Sequence, residues 1–289
     1  MQPLQNITGE TAVLEAYKHM KTRIMTGVVL VPVLFLLALA VPKEIAMVVY
    51  ALMMSVGSYE LLYCTRLVQH PRLVIYACVM AFLVTVWSFY GASHPVAVLG
   101  ILLFMMPLFG EMMLDHVKVR FEMIAMTVVA GLIVPYLLTA VIRILAMKIG
   151  RYMILMPFAV AFLNDAGAYF MGMKFGKHKL APVVSPNKTI EGMLGGIGAA
   201  VLGMIIYAVV LHVLDFRVNY LLAVFYGLVG SVAGVFGDLC FSIIKRQTGI
   251  KDYGNIFPGH GGILDRLDSV MAVAPLMEAL LLLLPFAVG

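Results

Sequence analysis

The chain has 289 residues, of which 63% are hydrophobic and only 12% are charged, and its mean hydropathy is +1.02. Soluble domains carry about 25% charged residues, so this composition excludes a water-soluble globular protein. The formal net charge of +5 is explained by orientation in a membrane, and no nucleic-acid partner is expected.

Nine apolar stretches approach the length of about 20 residues that a bilayer crossing requires. A membrane span must be a helix or part of a closed barrel, and continuous apolar runs without alternation exclude the barrel. The sequence therefore predicts an all-α integral membrane protein, a polytopic bundle of about nine transmembrane helices. In chain order the predicted spans are 24–42, 45–64, 73–90, 95–109, 122–147, 152–173, 193–214, 219–244 and 268–287.

The distribution of Lys and Arg indicates the orientation of the bundle. With the N-terminus in the cytoplasm, fifteen of the 20 Lys and Arg residues fall on the inner side. The cluster at 143–151 opposes this trend, but the count favours an inner N-terminus and an outer C-terminus. The five cations left on the outer side are Lys43, Arg143, Lys148, Arg151 and Arg217.

Asp165 and Asp238 lie within predicted spans, where an ionised side chain costs several kcal/mol unless it faces a partner or water. Asp165 occurs in AFLNDAGAYF and Asp238 in VFGDLCFSIIK. Each is a candidate functional residue, and the alternative is a hydrogen bond between helices. The three cysteines have no metal-ligand spacing and are expected to be packing residues.

The second of two unusual inner loops covers about 242–268 and mixes cations, glycines and carboxylates. Its glycines, which include Gly261 and Gly262, allow backbone N–H groups to approach an anion. Its cations supply the charge that phosphate oxygens need. These cations are Lys245, Arg246, Lys251 and Arg266.

The acids of this loop indicate a metal site. Asp265 and Asp268 are three residues apart, so they share a face if the last helix begins near 264. Mg²⁺ prefers such hard carboxylate oxygens together with phosphate and water, and Asp238 is placed to complete the set. The alternative for the two loop acids is a role at a helix N-terminus, as a cap or against the helix dipole.

The other inner loop, around 174–192, shows a weaker version of the same pattern. Ser185 and Thr189 can donate to phosphate and Lys188 can neutralise it. The run Ser-Pro-Asn predicts a turn into a helix N-terminus, which is itself an anion site. No Walker loop is present, and the alternative is an ordinary positive inner loop that precedes a capped helix.

The run from Ser242 to Asp268, S-x-I-K-R-x4-K-D-x-G-x2-F-P-x-H-G-G-I-x-D-R-L-D, resembles the signature of the phosphatidate cytidylyltransferases. NDAGAYFMGMKFGKHKL followed by SPNKTIEGMLGG is similar to the family's other recognisable block, with Ala166 where many relatives have Thr. The resemblance covers about 160–270. The first 150 residues match only as generic membrane helices, so we divide the chain into 1–150, with about five helices, and a catalytic region, 151–289.

The resemblance implies an integral membrane enzyme that joins CTP and phosphatidic acid to give CDP-diacylglycerol and pyrophosphate in phospholipid biosynthesis. It also implies Mg²⁺, a second monovalent cation such as K⁺, and a homodimer. The expected location is the bacterial inner membrane, with the active site facing the cytoplasm. We expect direct in-line attack by the lipid phosphate, since no nucleophile is arranged for covalent catalysis.

Carried over by position, the resemblance assigns roles to residues of both loops. Asp238 and Asp265 are the expected metal-binding acids with Asp268 close by. Lys245, Arg246, Lys251, His260 and Arg266 would line the phosphate site, and Ser185, Lys188 and Thr189 would contribute from the other loop. Asp165 and Tyr169 are suggested to line a cavity on the lipid side.

Two other functions are compatible with parts of this pattern. A CTP-dependent lipid kinase, such as a polyprenol kinase, needs a similar nucleotide site but releases CDP. A transporter or channel uses buried acids as an ion path, but here the acids gather at one membrane face.

Overall fold

The computed structural model describes residue 32 and residues 35–91, 93–257 and 261–288, with only the backbone described at 37 and 38. Seven of its helices are long and apolar enough to cross a membrane. They are α1 (Lys43–Cys64), α2 (Pro71–Tyr90), α3 (His94–Leu114), α4 (Phe121–Ala146), α5 (Gly150–Phe175), α6 (Ile190–Val213) and α7 (Tyr220–Gln247).

The C-terminal part adds two shorter helices, α8 (Leu264–Leu267) and α9 (Val270–Leu283). Asp268 and Ser269, between them, also have helical backbone angles. A last helix that begins near 264 is therefore confirmed. At 14 residues, α9 is shorter than the predicted span 268–287.

The all-helical membrane bundle is confirmed, and the second to eighth predicted spans correspond in order to α1–α7. The fourth, predicted as 95–109, is longer than expected, because α3 continues through Pro107 to Leu114. The first predicted span, 24–42, lies almost wholly outside the described residues, which include only a short π-helix at Leu36–Ala40. Eight of the nine predicted spans can therefore be compared with the structure.

Two long helices contain π-helical turns, in which each N–H bonds five residues back. In α1 the last turn, Glu60–Cys64, is π-helical. In α4 the π-turn Val129–Ile133 follows the α-helical residues Phe121–Val128 and precedes Val134–Leu138 and Ala140–Ala146.

Four short strands form two antiparallel pairs. The predicted loop 174–192 contains a hairpin of β1 (Lys179–Ala181) and β2 (Ser185–Thr189), in register Lys179↔Thr189 and Ala181↔Ser185. At the other end of α6, β3 (Arg217–Val218) pairs with β4 (Ala287–Val288).

Small residues allow the C-terminal helices to pack closely, as is common in membranes. A Cβ on Gly167 of α5 would lie 2.8 Å from the backbone oxygen of Gly195 in α6. A Cβ on Gly237 of α7 would lie 2.6 Å from the backbone oxygen of Asp268. These contacts bring the inner part of α5, α6 and α7 against the start of α9.

A buried ion pair explains part of the charge cluster at 143–151. Arg143 of α4 donates to both carboxylate oxygens of Glu278 in α9 at 2.7 Å, and the side chains are only 17% and 14% exposed. Arg143 is thus a paired residue within the bundle and not a loop cation, so it carries little weight in the orientation count.

Candidate functional site

The two segments that carry the family resemblance meet at one end of the bundle. The hairpin β1–β2 follows α5, and the segment 248–263, called here the motif loop, follows α7. Lys188 of β2 forms an ion pair with Asp238 of α7. Nε of Arg246, near the end of α7, donates to the backbone oxygen of Val184 in the hairpin turn at 3.1 Å. These two contacts fix the hairpin beside α7.

A cavity of about 270 Å³ lies where α5, the hairpin, α6 and α7 come together. Its charged lining residues are Asp165, Asp238 and Lys188, and Tyr169 is an aromatic one. Asp165 and Tyr169 therefore line one cavity, and its position on the lipid side stays a prediction. Its remaining lining residues are Asn164, Ala168, Leu180, Asn187, Thr189, Gly192, Met193 and Val235.

Asp238 is the central acid of this region. Its Oδ1 accepts a hydrogen bond from the Ser242 hydroxyl at 3.1 Å, and its Oδ2 faces the Lys188 ammonium. Asp165 lines the same cavity as Asp238, and a Cβ on Gly237, the neighbour of Asp238, would lie 2.6 Å from the backbone oxygen of Asp268. The three acids come from α5, α7 and the start of the last helix. The fold therefore brings together acids that are far apart in the sequence.

Asp265 has a different environment from Asp238. Its side chain is only 2% exposed, and its Oδ1 accepts from the Lys245 ammonium at 3.0 Å. Its Oδ2 accepts the backbone N–H groups of Tyr253 at 2.7 Å and Gly262 at 2.9 Å. Both carboxylate oxygens therefore hold the motif loop and the end of α7 together.

The predicted metal set of Asp238, Asp265 and Asp268 is not gathered as a group of three. Among the described residues, no three His, Cys, Asp or Glu side chains are arranged to hold a metal ion. Asp265 faces Lys245 and the motif loop, whereas the backbone of Asp268 lies beside Gly237, in the turn of α7 that carries Asp238. Direct binding of a metal by Asp265 stays a prediction, and it requires rearrangement of bonds that the carboxylate now makes.

The oxygen atoms around Asp238 nevertheless suit a hard divalent cation. Besides the carboxylates of Asp165, Asp238 and Asp268, two buried oxygens there, Asn164 Oδ1 and Ser269 Oγ, have no hydrogen-bond partner among the described residues. A Cβ on Gly234 of α7 would be 3.7 Å from Asn164 Nδ2 and 3.9 Å from Ser269 Cβ, so the two side chains lie near each other, whereas Asn164 Oδ1 lies beside Gly196 of α6. Carboxylate, amide and hydroxyl oxygens are donors that Mg²⁺ accepts.

The predicted phosphate-binding cations divide into two groups. Lys188 and Lys245 are mostly buried, and each is paired with an aspartate. Arg246, Lys251 and Arg266 are exposed, and within the described ranges none of the three pairs with a carboxylate. His260 falls at 258–260, outside the described residues, so its predicted role stays a prediction.

The hydroxyl residues and glycines also have identifiable positions. Ser185 is partly buried at the start of β2. The Thr189 side chain accepts the N–H of Gly192 at 3.1 Å and so caps α6, as the alternative interpretation of this loop anticipated. Gly261 has a φ of +83°, which favours glycine. The N–H of Gly262 donates to Asp265, so it is not directed at an open anion site.

Tyr253 anchors the motif loop from inside. The residue is fully buried, and its hydroxyl donates to the backbone oxygen of Phe241 at 3.0 Å. Burial raises the pKa of Tyr253, and the charges of Asp265 and Asp268 raise it further, so the hydroxyl remains a neutral donor. This contact holds the loop against α7.

Sequence reasoning missed Glu60, at the end of α1. It is 1% exposed, and its two oxygens accept the backbone N–H groups of Ile263 and Leu264 at 3.0 Å each. The signal was available, because an acid at the end of an apolar span is subject to the same cost that drew attention to Asp165 and Asp238.

Comparison with known proteins agrees with this geometry. Residues 21–284 match the cytidylyltransferase family. The chain is 49% identical to a phosphatidate cytidylyltransferase of Staphylococcus haemolyticus over 133 aligned residues. These residues make up 46% of this chain and 50% of that protein. It is 47% identical over 133 residues to that of Staphylococcus aureus strain COL, again 46% and 50% of the two chains.

A third relative gives the same result. The phosphatidate cytidylyltransferase of Staphylococcus epidermidis is 49% identical over 132 residues, which is 46% of this chain and 49% of that protein. The chain thus spans about half the length of the curated relatives it matches. The family match, by contrast, extends over most of the chain and includes both motif segments, and the chain therefore belongs to the cytidylyltransferase family.

Proposed function

We propose that this protein is a phosphatidate cytidylyltransferase, which transfers CMP from CTP to phosphatidic acid and gives CDP-diacylglycerol and pyrophosphate. One observation carries the proposal: the ion pair of Lys188 and Asp238 joins two segments that are distant in sequence, at a cavity lined by both charged and apolar residues. A site of this kind suits a reaction between a charged nucleotide and a lipid phosphate. The names of the family and of the relatives support a cytidine nucleotide and phosphatidate as the two substrates.

The chemistry requires two anions to be brought together. A phosphate oxygen of phosphatidic acid attacks the α-phosphorus of CTP, a new P–O bond forms, and the bond to the bridging oxygen breaks as pyrophosphate leaves. The attacking oxygen is already ionised, so no side chain has to activate it. The protein contributes orientation and positive charge near the phosphates.

The described residues suggest how these tasks are divided. Lys188, at the cavity, would contact the lipid phosphate, with Asp165 and Tyr169 in the lining of the same cavity. Arg246, Lys251 and Arg266 are exposed beside the motif loop, where the triphosphate of CTP would enter from water. Lys245 forms an ion pair with Asp265, so it links the end of α7 to the start of α8.

A divalent cation fits the oxygen-rich region around Asp238. Asp238 and Asp268 would hold Mg²⁺, and Asp165, Ser269 and Asn164 supply further oxygens nearby. When bound, Mg²⁺ would neutralise negative charge on the phosphates of CTP. A second monovalent cation and a homodimer stay predictions from the family resemblance.

The distribution of charge supports a site that faces the cytoplasm of a bacterial inner membrane. Both motif segments and the connections at 65–70 and 115–120 carry cations, as inner loops do. Arg72 at the start of α2 pairs with Glu111 at the end of α3 at 3.2 Å, so these ends lie together. CTP is a cytosolic metabolite, which agrees with this placement.

Product analysis tests the proposal against a lipid kinase and a transporter. Detergent-purified protein is given CTP and Mg²⁺ with phosphatidic acid or with a polyprenol, and the products are separated. We expect pyrophosphate and CDP-diacylglycerol with phosphatidic acid only. CDP with a phosphorylated alcohol would establish a kinase, and absence of both products from folded protein would return the transporter to consideration.

Two additions make this experiment more specific. Asp265→Asn is expected to abolish turnover in a protein that remains folded, whereas Asp215→Asn, a change of the same kind at an exposed position outside the site, should not. Near-normal turnover of Asp265→Asn would remove Asp265 from the site. In sealed vesicles, externally added CTP should be used only when the membrane is inside out, since CTP does not cross a bilayer.

A further inference from the structure

A buried carboxylate from the N-terminal half of the chain holds the motif loop in place. Glu60 lies in α1, yet it accepts the N–H groups of Ile263 and Leu264, more than 200 residues later in the chain. These N–H groups belong to the N-terminal end of α8, where four such groups lack partners within the helix. Glu60 thus caps, from another helix, the segment that carries Asp265, Arg266 and Asp268.

The motif loop is shaped to receive this carboxylate. A Cβ on Gly254 would lie 2.3 Å from Glu60 Oε1, and a Cβ on Gly262 would lie at the same distance from that atom. The absence of side chains at these two glycines therefore makes room for Glu60. Two sides of the loop close around one carboxylate.

Glu60 has no cation of its own to balance its charge in the described part of the chain. An ionised group buried without a cation is stabilised only if N–H donors satisfy its oxygens. The two backbone N–H groups supply these bonds. Glu60 also begins the π-helical turn that ends α1, a distortion that is frequent at functional sites.

Glu60 and Asp265 together fix neighbouring residues of the loop. Asp265 accepts the N–H of Gly262, and Glu60 accepts the N–H of the next residue, Ile263. The backbone at 262–264 is therefore held by two carboxylates, one from α1 and one from α8. A shift of this backbone would move Asp265 away from Lys245 and Asp268 away from Asp238.

We propose that Glu60 is a positioning residue for cytidylyl transfer, which holds the motif loop and the start of α8 in the geometry that the site requires. This inference rests on the function proposed above. It makes the N-terminal half part of the catalytic apparatus, although both motif segments lie in the C-terminal half. Glu60 acts through the loop and does not contact substrate.

Two readouts test this role, one of which needs no activity. The first is limited trypsin cleavage after Lys251, an exposed residue of the motif loop, followed by mass spectrometry. The second is the turnover assay, with kcat and KM for CTP measured separately. Glu60→Gln keeps the size of the side chain but presents an amide NH₂ to one of the two N–H donors.

We expect Glu60→Gln to increase the cleavage rate at Lys251 several-fold and to lower kcat/KM by about 10- to 100-fold. Glu60→Asp, which keeps the charge but is shorter by one methylene, should have an intermediate effect on both. Gly254→Ala, which leaves Glu60 intact but fills the space for its carboxylate, should reproduce the effect if Glu60→Gln does not fold.

Glu278→Gln is the matched control, because Glu278 is also a largely buried carboxylate but pairs with Arg143. It should lower thermal stability and leave cleavage at Lys251 unchanged. Wild-type cleavage and kinetics in folded Glu60→Gln would overturn the proposal, and so would lost turnover with wild-type cleavage. If the unmodified protein transfers no CMP, the proposed function fails, while the cleavage rates still test whether Glu60 holds the loop.

Discussion

At the scale of single residues, variants of the ion pair between Lys188 and Asp238 can distinguish a role in stability from a role in turnover. The two side chains are 24% and 20% exposed, so breaking the pair should destabilise the protein by about 1–3 kcal/mol. Lys188→Met or Asp238→Asn alone leaves one charge without its partner. Both single variants are therefore expected to lose stability and turnover.

The double variant Lys188→Met/Asp238→Asn tests whether the pair is needed for stability alone or also for turnover. Removing both charges should restore most of the thermal stability, since no charge remains without a partner. Turnover should stay at least 100-fold below the wild type, because the lysine is needed for phosphate and the aspartate for the metal. Recovery of turnover together with stability would show that the pair only holds the hairpin to α7. Lys174→Met, at an exposed lysine, is the control for loss of positive charge.

At the scale of elements, hydropathy was sufficient to predict where α1–α7 lie, because a bilayer span requires a long apolar run. The β1–β2 hairpin was not predicted. Its strands have three and five residues, and SPNKT has neither apolar alternation nor β-branched residues except its last. Contacts from α7, through Arg246 and Asp238, hold the hairpin in place. Such tertiary contacts cannot be seen in a local pattern.

The candidate site was predicted only in part, because tertiary contacts also determine how its residues are grouped. The motif residues were identified from one contiguous run, but their division into an Asp238 group and an Asp265 group depends on how α5, α7 and α8 pack. Glu60 is more than 180 residues from the motif loop in sequence, so its contact with Ile263 is a property of the fold. The apolar sequence of α1 indicates that Glu60 is buried, but it does not indicate which residues Glu60 contacts.

Thr189 provides the prediction at the element scale, since it was expected to bind phosphate and is observed as the cap of α6. Thr189→Ala should lower the free energy of unfolding by about 1 kcal/mol, as loss of an N-cap does. Turnover should fall less than tenfold, and Thr189→Ser should restore both quantities. Unchanged stability with abolished turnover would instead assign the hydroxyl to substrate binding. Thermal denaturation and the turnover assay, run on the same preparations, make the measurement.

At the scale of the whole molecule, two carboxylate contacts connect the N-terminal and C-terminal regions at opposite ends of the bundle. Glu60 joins α1 to α8 beside the site, and Arg143 joins α4 to Glu278 in α9 away from it. The division at residue 150 stays a prediction, but both contacts cross it. The start and the middle of the last helical segment are thereby fixed to the N-terminal helices.

The pair of Arg143 and Glu278 is therefore expected to control stability without controlling chemistry. Arg143 also donates to the Tyr136 backbone oxygen at 2.9 Å and to the Thr139 hydroxyl at 3.1 Å. Arg143→Met should lower the free energy of unfolding by about 3–5 kcal/mol, because Glu278 then keeps a buried charge without its cation. Arg143→Met/Glu278→Leu should recover most of this loss, because an apolar pair of similar volume needs no charged partner. Thermal unfolding in detergent, with kcat/KM measured below the transition, distinguishes the two effects. If the double variant regains stability but loses turnover, the pair acts on the site through α9, and the separation of stability from chemistry at the two ends of the bundle is wrong.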